Sequence, residues 1–451
     1  MTNSAVKAMA AGFSAALIQP GEDGYEAARR IHNGHIDKRP ALIARCRETG
    51  DVVEALALAE RAGLDVSVRG GGHSIAGRSV VEGGLMIDLS PMRRVVIDAE
   101  TRVAQVGGGA TWADVNEATN AHGLATTGGV VSTTGVGGLT LGGGMGWLMA
   151  THGLAIDNLL SVEMVGADGQ VILADENTHP ELFWAVRGGG GNFGIVTSFE
   201  YRLHPVTHIQ GGLVAHPFEA AGEFLRFLGE YSATGPDELT VMPLLVHAPD
   251  GSGTPLAATA VAYFGRPEQA EAVLQPLLQF GSPILSQVGA ISYPDLNTML
   301  DDGFPAGALY YWKSNFVSAL TDEVIDVVID RFTECPSPMS GIAIEHLHGA
   351  ITRVPVDATA FPHRQPGYNV LIAGVWADSE ANDANIAWTK GTYQALRPLL
   401  SRGRYVNYLS DDDSSAVSDA YGPNLDRLTQ VKKRYDPANR FHPNHNIEPA
   451  P

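Results

Sequence analysis

Cysteine is scarce in this 451-residue chain, which has two, Cys46 and Cys335, far apart in the sequence. Two distant thiols provide neither the framework of a disulfide-rich fold nor the ligand set of a structural zinc site. Basic residues are also in the minority, since 30 Lys and Arg stand against 50 Asp and Glu, for a formal net charge of −20. That imbalance argues against nucleic acids and anionic membrane surfaces as partners.

Long apolar runs are missing as well. No stretch approaches the roughly 20 apolar residues of a transmembrane helix, and residues 1–18 lack the basic start of a secretory signal. We therefore expect a cytoplasmic protein without a membrane anchor. Hydrophobic residues make up 44% of the chain and charged residues 18%, which is typical of a globular protein with a large core. The length is enough for two or three domains.

Glycine, in contrast, is abundant at 52 residues, and it is clustered. The first cluster follows an apolar run and reads Val68-Arg-Gly-Gly-Gly-His-Ser-Ile-Ala-Gly77. Consecutive glycines suit a tight turn whose backbone N–H groups approach a diphosphate closely, and Arg69 adds a positive charge. A plain turn is the alternative. Two further clusters, at 128–146 and 188–194, favour the ligand-binding interpretation.

Hydroxyl side chains alternate with glycines in the cluster at 128–146. We predict a ribbon that lies flat along an extended cofactor, with hydroxyls and amides bonding to phosphates. The alternative is a glycine-rich packing surface between helices, although each glycine inside a helix costs about 1 kcal/mol. The nicotinamide-type Rossmann fingerprint is not matched, because no helix followed by an acidic residue about 20 positions later succeeds these clusters.

The first 205 residues predict short strands and helices. A strand over Pro40–Cys46, a helix over Asp51–Ala62 that ends at Gly63, and a strand over Leu64–Arg69 form a strand–helix–strand unit, typical of parallel pairing. Further strands are expected at Leu85–Leu89, Arg94–Asp98, Arg102–Val106, Ile156–Val165, Gln170–Ala174 and Ile195–Leu203, and helices at Trp112–His122 and Pro180–Val186.

The glycine clusters stop after Pro205, and long β-like runs then alternate with helices. The runs are Leu239–His247, Leu256–Phe264, Ala308–Ser318, Gly341–Ile351 and Asn369–Trp376, and the helices are Pro217–Glu230, Pro267–Gln279, Thr321–Thr333 and Asn382–Leu400. This pattern predicts a second domain with an α+β fold. The tail differs again and contains a basic helix over Leu425–Tyr435.

Four segments together resemble the berberine-bridge-enzyme-like branch of the vanillyl-alcohol-oxidase flavoproteins. They are Arg69–Ser74, Gly135–Gly144, Phe183–Gly194 and Tyr435–Ile447. Within the branch the chain is most similar to bacterial 6-hydroxy-D-nicotine oxidase-like and antibiotic-tailoring oxidases. The resemblance implies an α+β, two-domain PCMH-type fold. It has an FAD-binding domain over 1–205, a substrate domain on an antiparallel sheet over 206–404, and a segment 405–451 that returns to the FAD domain.

The resemblance also implies that His73 is bonded covalently to the 8α-methyl group of FAD. A neutral imidazole is nucleophilic near neutral pH, which fits this role; a polar turn residue beside a phosphate is the alternative. Many relatives attach the flavin a second time through a cysteine that would fall at Val131, so we expect a single link. The other implied cofactor contacts are Arg69, Gly70, Gly71, Gly72, Ser74, Gly77, Gly129, Thr133, Thr134, Gly135, Gly137, Gly138, Leu139, Gly142, Gly144, Gly194, Ile195, Val196, Tyr408, Asn444 and Asn446.

A flavin accepts a hydride from a donor that is activated by losing a proton. By resemblance the base is Tyr408, whose pKa would have to fall from near 10 to work at neutral pH. The alternative is that Tyr408 only shapes the pocket or binds substrate. Glu345 and Asn369 match substrate-facing polar positions, and Glu345 would attract an amine or relay a proton from Tyr408. Thr134 and Leu139 are expected to line the ring where oxygen approaches.

Two histidines flank these positions on one predicted strand. Strand alternation places Glu345 and Leu347 on one face and His346 and His348 on the other. The family usually has Pro and Gly at the two histidine positions, so the local backbone differs. Two histidines without a third partner are a weak metal site, and we interpret them as a polar face or pocket rim. No metal is expected.

The resulting hypothesis is an FAD-dependent oxidase that removes a hydride from a C–OH, C–N or activated C–H carbon. Oxygen would reoxidise the flavin and hydrogen peroxide would be released. The alternatives are a dehydrogenase with another electron acceptor and a flavin-binding protein without turnover. The expected partners are O2 and a small molecule of secondary metabolism or heterocycle catabolism, and the expected state is a monomer or homodimer.

Overall fold

The computed structural model describes residues 13–451, apart from the side chains at 414 and 415. Its first sheet has the order β1-β2-β4-β3. The strands are β1 (Ala16–Ile18), β2 (Leu42–Arg45), β3 (Val66–Arg69) and β4 (Leu85–Asp88). Both β2 and β3 pair in parallel with β4, which lies between them, so the predicted strand–helix–strand unit is present but its two strands are not neighbours. Its helix, Thr49–Ala62, ends at a left-handed Gly63 as predicted.

The second sheet is antiparallel and has the order β5-β6-β10-β8-β9. Its strands are β5 (Val95–Asp98), β6 (Val103–Gly107), β8 (Leu159–Val165), β9 (Val171–Asp175) and β10 (Ile195–Arg202), while β7 (Leu124–Ala125) pairs with β11 (His204–Pro205). The helices in this half are Tyr25–Arg29, Thr49–Ala62, Trp112–Asn120, Val136–Leu141, Met149–His152 and Pro180–Val186.

The glycine-rich stretch 128–146 is not the flat ribbon that we predicted, because it contains the helix Val136–Leu141. Val136 and Leu141 are buried in the core of this half, which fixes the helical turn. A Cβ placed at Gly137 would lie 3.3 Å from the carbonyl oxygen of Gly108. Close packing against the loop at Gly108 therefore accounts for part of the glycine content, although the contact is not the one between helices that the alternative interpretation described.

The third sheet is the predicted antiparallel one, with seven strands in the order β15-β12-β14-β13-β17-β18-β16. They are β12 (Gln210–Pro217), β13 (Leu239–His247), β14 (Pro255–Tyr263), β15 (Leu285–Ala290), β16 (Leu309–Val317), β17 (Gly341–Leu347) and β18 (Gly367–Trp376). The strand predicted to reach Ile351 stops at Leu347, because Gly349 takes a positive φ of 64° and the helix Ala350–Arg353 begins.

Helices cover one face of this sheet, and the other face is turned toward the first half of the chain. A buried core that includes Leu225, Ile325 and Trp388 joins the covering helices to the sheet. The helices of this part are Ala221–Thr234, Pro267–Leu278, Tyr293–Thr298, Asp322–Thr333, Ala350–Arg353 and Asn382–Leu396.

The C-terminal segment contains the helices Val417–Tyr421 and Leu425–Tyr435. Leu428 and Ile447 are buried in the same core as Phe199 of β10, so this segment packs on the first half of the chain. The domain boundaries at 205 and 404 stay a prediction. Among residues 13–451 no helix is both long enough and apolar enough to cross a membrane. The expectation of no secretory signal concerns residues 1–18, most of which lie outside the described residues.

Candidate active site

A cavity of about 910 Å³ separates the glycine-rich loops from the open face of the seven-stranded sheet. Most of the cofactor contacts predicted from the sequence line it. These are Gly70, Gly71, Gly72, His73, Ser74, Gly129, Thr134, Gly135, Gly137, Gly138, Leu139, Gly194, Ile195, Val196, Tyr408 and Asn444. Val131, at the position of the absent cysteine, lines it as well, whereas Cys46 and Cys335 do not.

Six predicted cofactor residues are not among the lining residues, and their surroundings show why. The guanidinium of Arg69 donates to the carbonyl of Ala28 at 2.6 Å rather than facing the cavity. Thr133 lies behind His73 and bonds to its ring. Gly77, Gly142 and Gly144 are packed so closely that a Cβ would collide with Ile36, Asn407 or Ala155. Asn446 does not line the cavity, and its Oδ1 is buried without a partner in the described part of the chain.

Two glycine loops touch through their backbones at the wall of the cavity. A Cβ on Gly71 would overlap the Cα of Gly135, and one on Gly135 would overlap the amide of Gly71. The backbone N–H groups of 71–74 donate to no acceptor within the described part of the chain. Unpaired amides at a bare backbone surface are the donors that a diphosphate requires, so the loops fit that part of FAD.

We expect Gly71→Ala to lower the free energy of unfolding by about 1–3 kcal/mol, because the new methyl group must push two backbones apart. Gly138→Ala is the matched control. No atom lies within 4 Å of a Cβ at that position, and it lines the same cavity. That variant should fold like the wild type and lose flavin content instead. Equal unfolding curves for the two variants would contradict this packing.

The His73 ring is held between a hydroxyl and a second imidazole. Its Nε2 lies 3.0 Å from Oγ1 of Thr133, and its ring stacks on His32 with centroids 3.7 Å apart. Burial, and secondarily the neighbouring His32, lowers the pKa of His73 to about 3. The ring is therefore neutral at neutral pH, and its Nδ1 has no protein partner among the described residues. Sequence reasoning missed His32, which carries no motif of its own.

Glu345 lies at the centre of a hydrogen-bonded set on the sheet. The Tyr408 hydroxyl donates to its Oε1 at 3.0 Å, and the Asn369 amide donates to its Oε2 at 2.7 Å. Glu345 and Asn369 are register partners on β17 and β18. Burial raises the pKa of Glu345 to about 7, and the two hydrogen bonds oppose that rise.

The structure does not lower the pKa of Tyr408 as the sequence argument required. Burial and the charge of Glu345 raise that pKa well above its ordinary value. The rings of Tyr405 and Trp312 pack edge-on against Tyr408, with centroids at 4.8 and 5.6 Å. Asn369 is fully buried and does not line the cavity, so its predicted contact with substrate is replaced by a contact with Glu345.

Removing the Asn369 donor should raise the pKa of Glu345 further, because a hydrogen bond to the charged form would be lost. We expect Asn369→Leu to move the pH dependence of substrate oxidation upward by roughly one to two pH units, as the loss of about 1.5–3 kcal/mol implies. The rate at high pH should stay near that of the wild type. The pH profile of flavin reduction measures this, and an unmoved profile would contradict the link.

Of the two interpretations of His346 and His348, a polar face or a pocket rim, the structure does not support the pocket rim. Their rings stack on each other at 4.1 Å, His346 stacks on Tyr368 at 4.6 Å, and neither residue lines the cavity. Strand alternation places them on the face opposite Glu345, as expected. Within residues 13–451 no group of three or more His, Cys, Asp or Glu side chains is arranged to hold a metal ion.

Two protein-family models match this chain, one in its first half and one near its C-terminus. A family model described as FAD binding domain matches residues 40–175, and one described as berberine and berberine like matches 404–448. An FAD-linked oxidoreductase of Dictyostelium discoideum is 32% identical over 91% of this chain and 89% of its own length. The (R)-6-hydroxynicotine oxidase of Paenarthrobacter nicotinovorans is 30% identical, with 96% of each chain covered.

Solved structures agree with these matches. The crystal structure of 6-hydroxy-D-nicotine oxidase from Arthrobacter nicotinovorans has a TM-score of 0.90 at 28% identity and covers 97% of this chain and 99% of its own. A glucooligosaccharide oxidase from Acremonium strictum, described with a 6-S-cysteinyl, 8α-N1-histidyl FAD, has a TM-score of 0.88 at 25% identity and covers 99% of both chains. The two relatives share the fold, and their names give different substrates.

Proposed function

Because the chain belongs to the berberine-bridge-like FAD-linked oxidoreductases, we propose that it is an oxidase in which Glu345 takes up the substrate's proton through Tyr408. It is an FAD-dependent enzyme with the PCMH-type α+β fold. The observation that supports the proposal is the hydrogen-bonded set of buried Asn369, buried Glu345 and half-buried Tyr408 beside the same cavity that the glycine loops line.

The residues that would hold FAD are identified by their position in the lining of the cavity. The free amides at 71–74 suit the diphosphate, and the start of the helix Val136–Leu141 and the side-chain oxygen of Asn444 line the cavity as further polar groups. Bound FAD would supply the hydride acceptor, with O2 as the electron acceptor that reoxidises it and hydrogen peroxide as the product. Monomer or homodimer state and a cytoplasmic location stay predictions from the sequence.

We further propose a single covalent attachment of FAD, through His73. A neutral imidazole that keeps one ring nitrogen free can act as a nucleophile. The 8α-N1-histidyl FAD of the Acremonium oxidase supports this role. The second, cysteinyl attachment of that relative has no equivalent here, because Val131 offers no thiol.

The proton step follows from the two hydrogen bonds to Glu345. With a pKa of about 7, Glu345 is partly ionised at neutral pH and can accept a proton. As the C–H bond of the substrate gives up its hydride, the O–H or N–H proton passes to the Tyr408 oxygen, and Tyr408 passes its own proton to Glu345. The product is then a carbonyl compound or an imine. Asn369 keeps the carboxylate oriented.

A panel of alcohols and amines tests the activity. A substrate should bleach the flavin under anaerobic conditions, and air should restore the colour with one hydrogen peroxide per substrate oxidised. Slow reoxidation in air but fast reoxidation by an artificial dye would show a dehydrogenase instead. A flavin that no compound of the panel bleaches would contradict the proposed redox function.

A further inference from the structure

The open face of the seven-stranded sheet is almost entirely apolar where it lines the cavity. Alternate residues of three adjacent strands point to this face and line the cavity. We call them the apolar corridor: Leu213, Ala215, Met242, Leu244, Leu256 and Ala258. Further apolar side chains line the cavity, among them Met299, Leu300 and Phe304, and the first two pack against the same hydrophobic cluster as the corridor.

The apolar corridor extends well beyond the reacting centre. Glu345 lies on β17, and β13, β14 and β12 follow it in sheet order. With neighbouring strands about 4.8 Å apart, β12 lies roughly 14 Å from the strand of Glu345. That distance leaves room for a substrate body that runs along the sheet away from Glu345.

Charge is nearly absent from this wall. Among the strand residues that line the cavity, Glu345 and His247 carry titratable groups, and burial lowers the pKa of His247, which keeps it neutral. No Lys or Arg of residues 206–404 lines the cavity in the described chain. Arg78 lines the cavity from the first half of the chain, but it is paired with Asp411, and Asp302 adds a negative charge. An anionic group would therefore find no unpaired counter-charge beside the sheet, and most hydroxyls of a sugar laid along its apolar side chains would lose their water without gaining a partner.

We propose that the substrate is an apolar molecule without an anionic group, whose single hydroxyl or amine is presented to Glu345 and Tyr408 while its body lies in the apolar corridor. This rests on the proposed function for the site. Oligosaccharides and carboxylated substrates are then excluded, although a relative of this chain is named for an oligosaccharide.

A homologous series tests this directly. Benzyl alcohol and its 4-methyl, 4-ethyl and 4-propyl derivatives are titrated into the flavin-loaded Glu345→Gln variant. Because this variant should turn over about 10²–10⁴-fold more slowly, the shift of the flavin absorbance is read before the flavin is reduced, and it gives Kd. Each buried methylene should tighten binding about fourfold. 4-Carboxybenzyl alcohol and cellobiose form the polar arm and should not bind, while the 4-alkylbenzylamines show which head group is preferred.

Two substitutions of Met242 test whether the alkyl group of the ligand binds in the apolar corridor. Met242→Gln places an amide of the same length in the apolar corridor and should weaken the 4-propyl compound about tenfold, whereas Met242→Leu should leave its Kd unchanged. A flat or reversed alkyl series, tighter binding of cellobiose or the carboxylate, or no binding of the propyl compound would overturn the inference. A protein without flavin colour would instead refute the proposed function, so the two failures are distinguishable.

Discussion

Glu345→Gln should slow substrate oxidation by about 10²–10⁴-fold, the usual contribution of a positioned general base. The carboxylate is buried, and it accepts hydrogen bonds from Tyr408 and Asn369. Glutamine keeps the size of the side chain but cannot accept a proton. The rate of flavin reduction in anaerobic stopped-flow experiments measures the loss, and a variant that keeps the wild-type rate would contradict the role of Glu345.

The pH dependence has a definite sign. Only ionised Glu345 accepts a proton, so the wild-type rate should rise with pH and level off above the pKa of about 7. Glu345→Gln should lose this rise. Tyr408→Phe should also be slow, because the relay is broken, but it should keep a rise because Glu345 remains.

Stability provides the control for Glu345→Gln. Burial raises the pKa of Glu345 in the folded state above its ordinary value of 4.5, so its contribution to stability falls as pH increases from about 4.5 to about 7. Above pH 7 the wild type carries a desolvated carboxylate that the variant lacks. The variant should therefore unfold at the same or a higher temperature at pH 8, and a large decrease would mean that its slow rate reflects damage to the fold.

His73→Ala should abolish the covalent attachment of FAD completely, from one flavin per chain to none. The substitution removes the imidazole that lines the cavity beside the free amides of the first glycine cluster. After acid precipitation the flavin colour should move from the pellet to the supernatant. His32→Phe is the control, because an aromatic ring in the stack with His73 should preserve the link. Colour that stays with the His73→Ala pellet would place the link elsewhere.

Sequence patterns predicted correctly those helices and strands that their own residues favour. The helix Leu425–Tyr435 and the strand Leu239–His247 have the predicted bounds. Apolar residues at helical spacing define the helix, and a continuous run of apolar, mostly β-favouring residues defines the strand. Strands β12 and β15 were missed. β12 contains Gly211-Gly212, which disfavours a strand, and no residue of β15 is buried. Neighbouring strands, rather than the local sequence, hold both in the sheet.

The site was predicted in its residue types but not in its electrostatics. The family resemblance pointed to His73, Glu345 and Tyr408, which all line the cavity. The direction in which a pKa moves depends on burial and on neighbours that are distant in sequence. The raised pKa of Tyr408 and the place of Asn369 behind Glu345 therefore required the three-dimensional structure. The same holds for the stacking of His32 on His73.

The most direct test of the account is the intact mass of the purified wild-type protein under denaturing conditions. We predict the mass of the chain plus one FAD, with the flavin on the peptide that contains His73 and none on the peptide that contains Val131. The mass of the bare chain, with a yellow supernatant, would contradict the covalent attachment and leave the cofactor bound by the cavity walls alone.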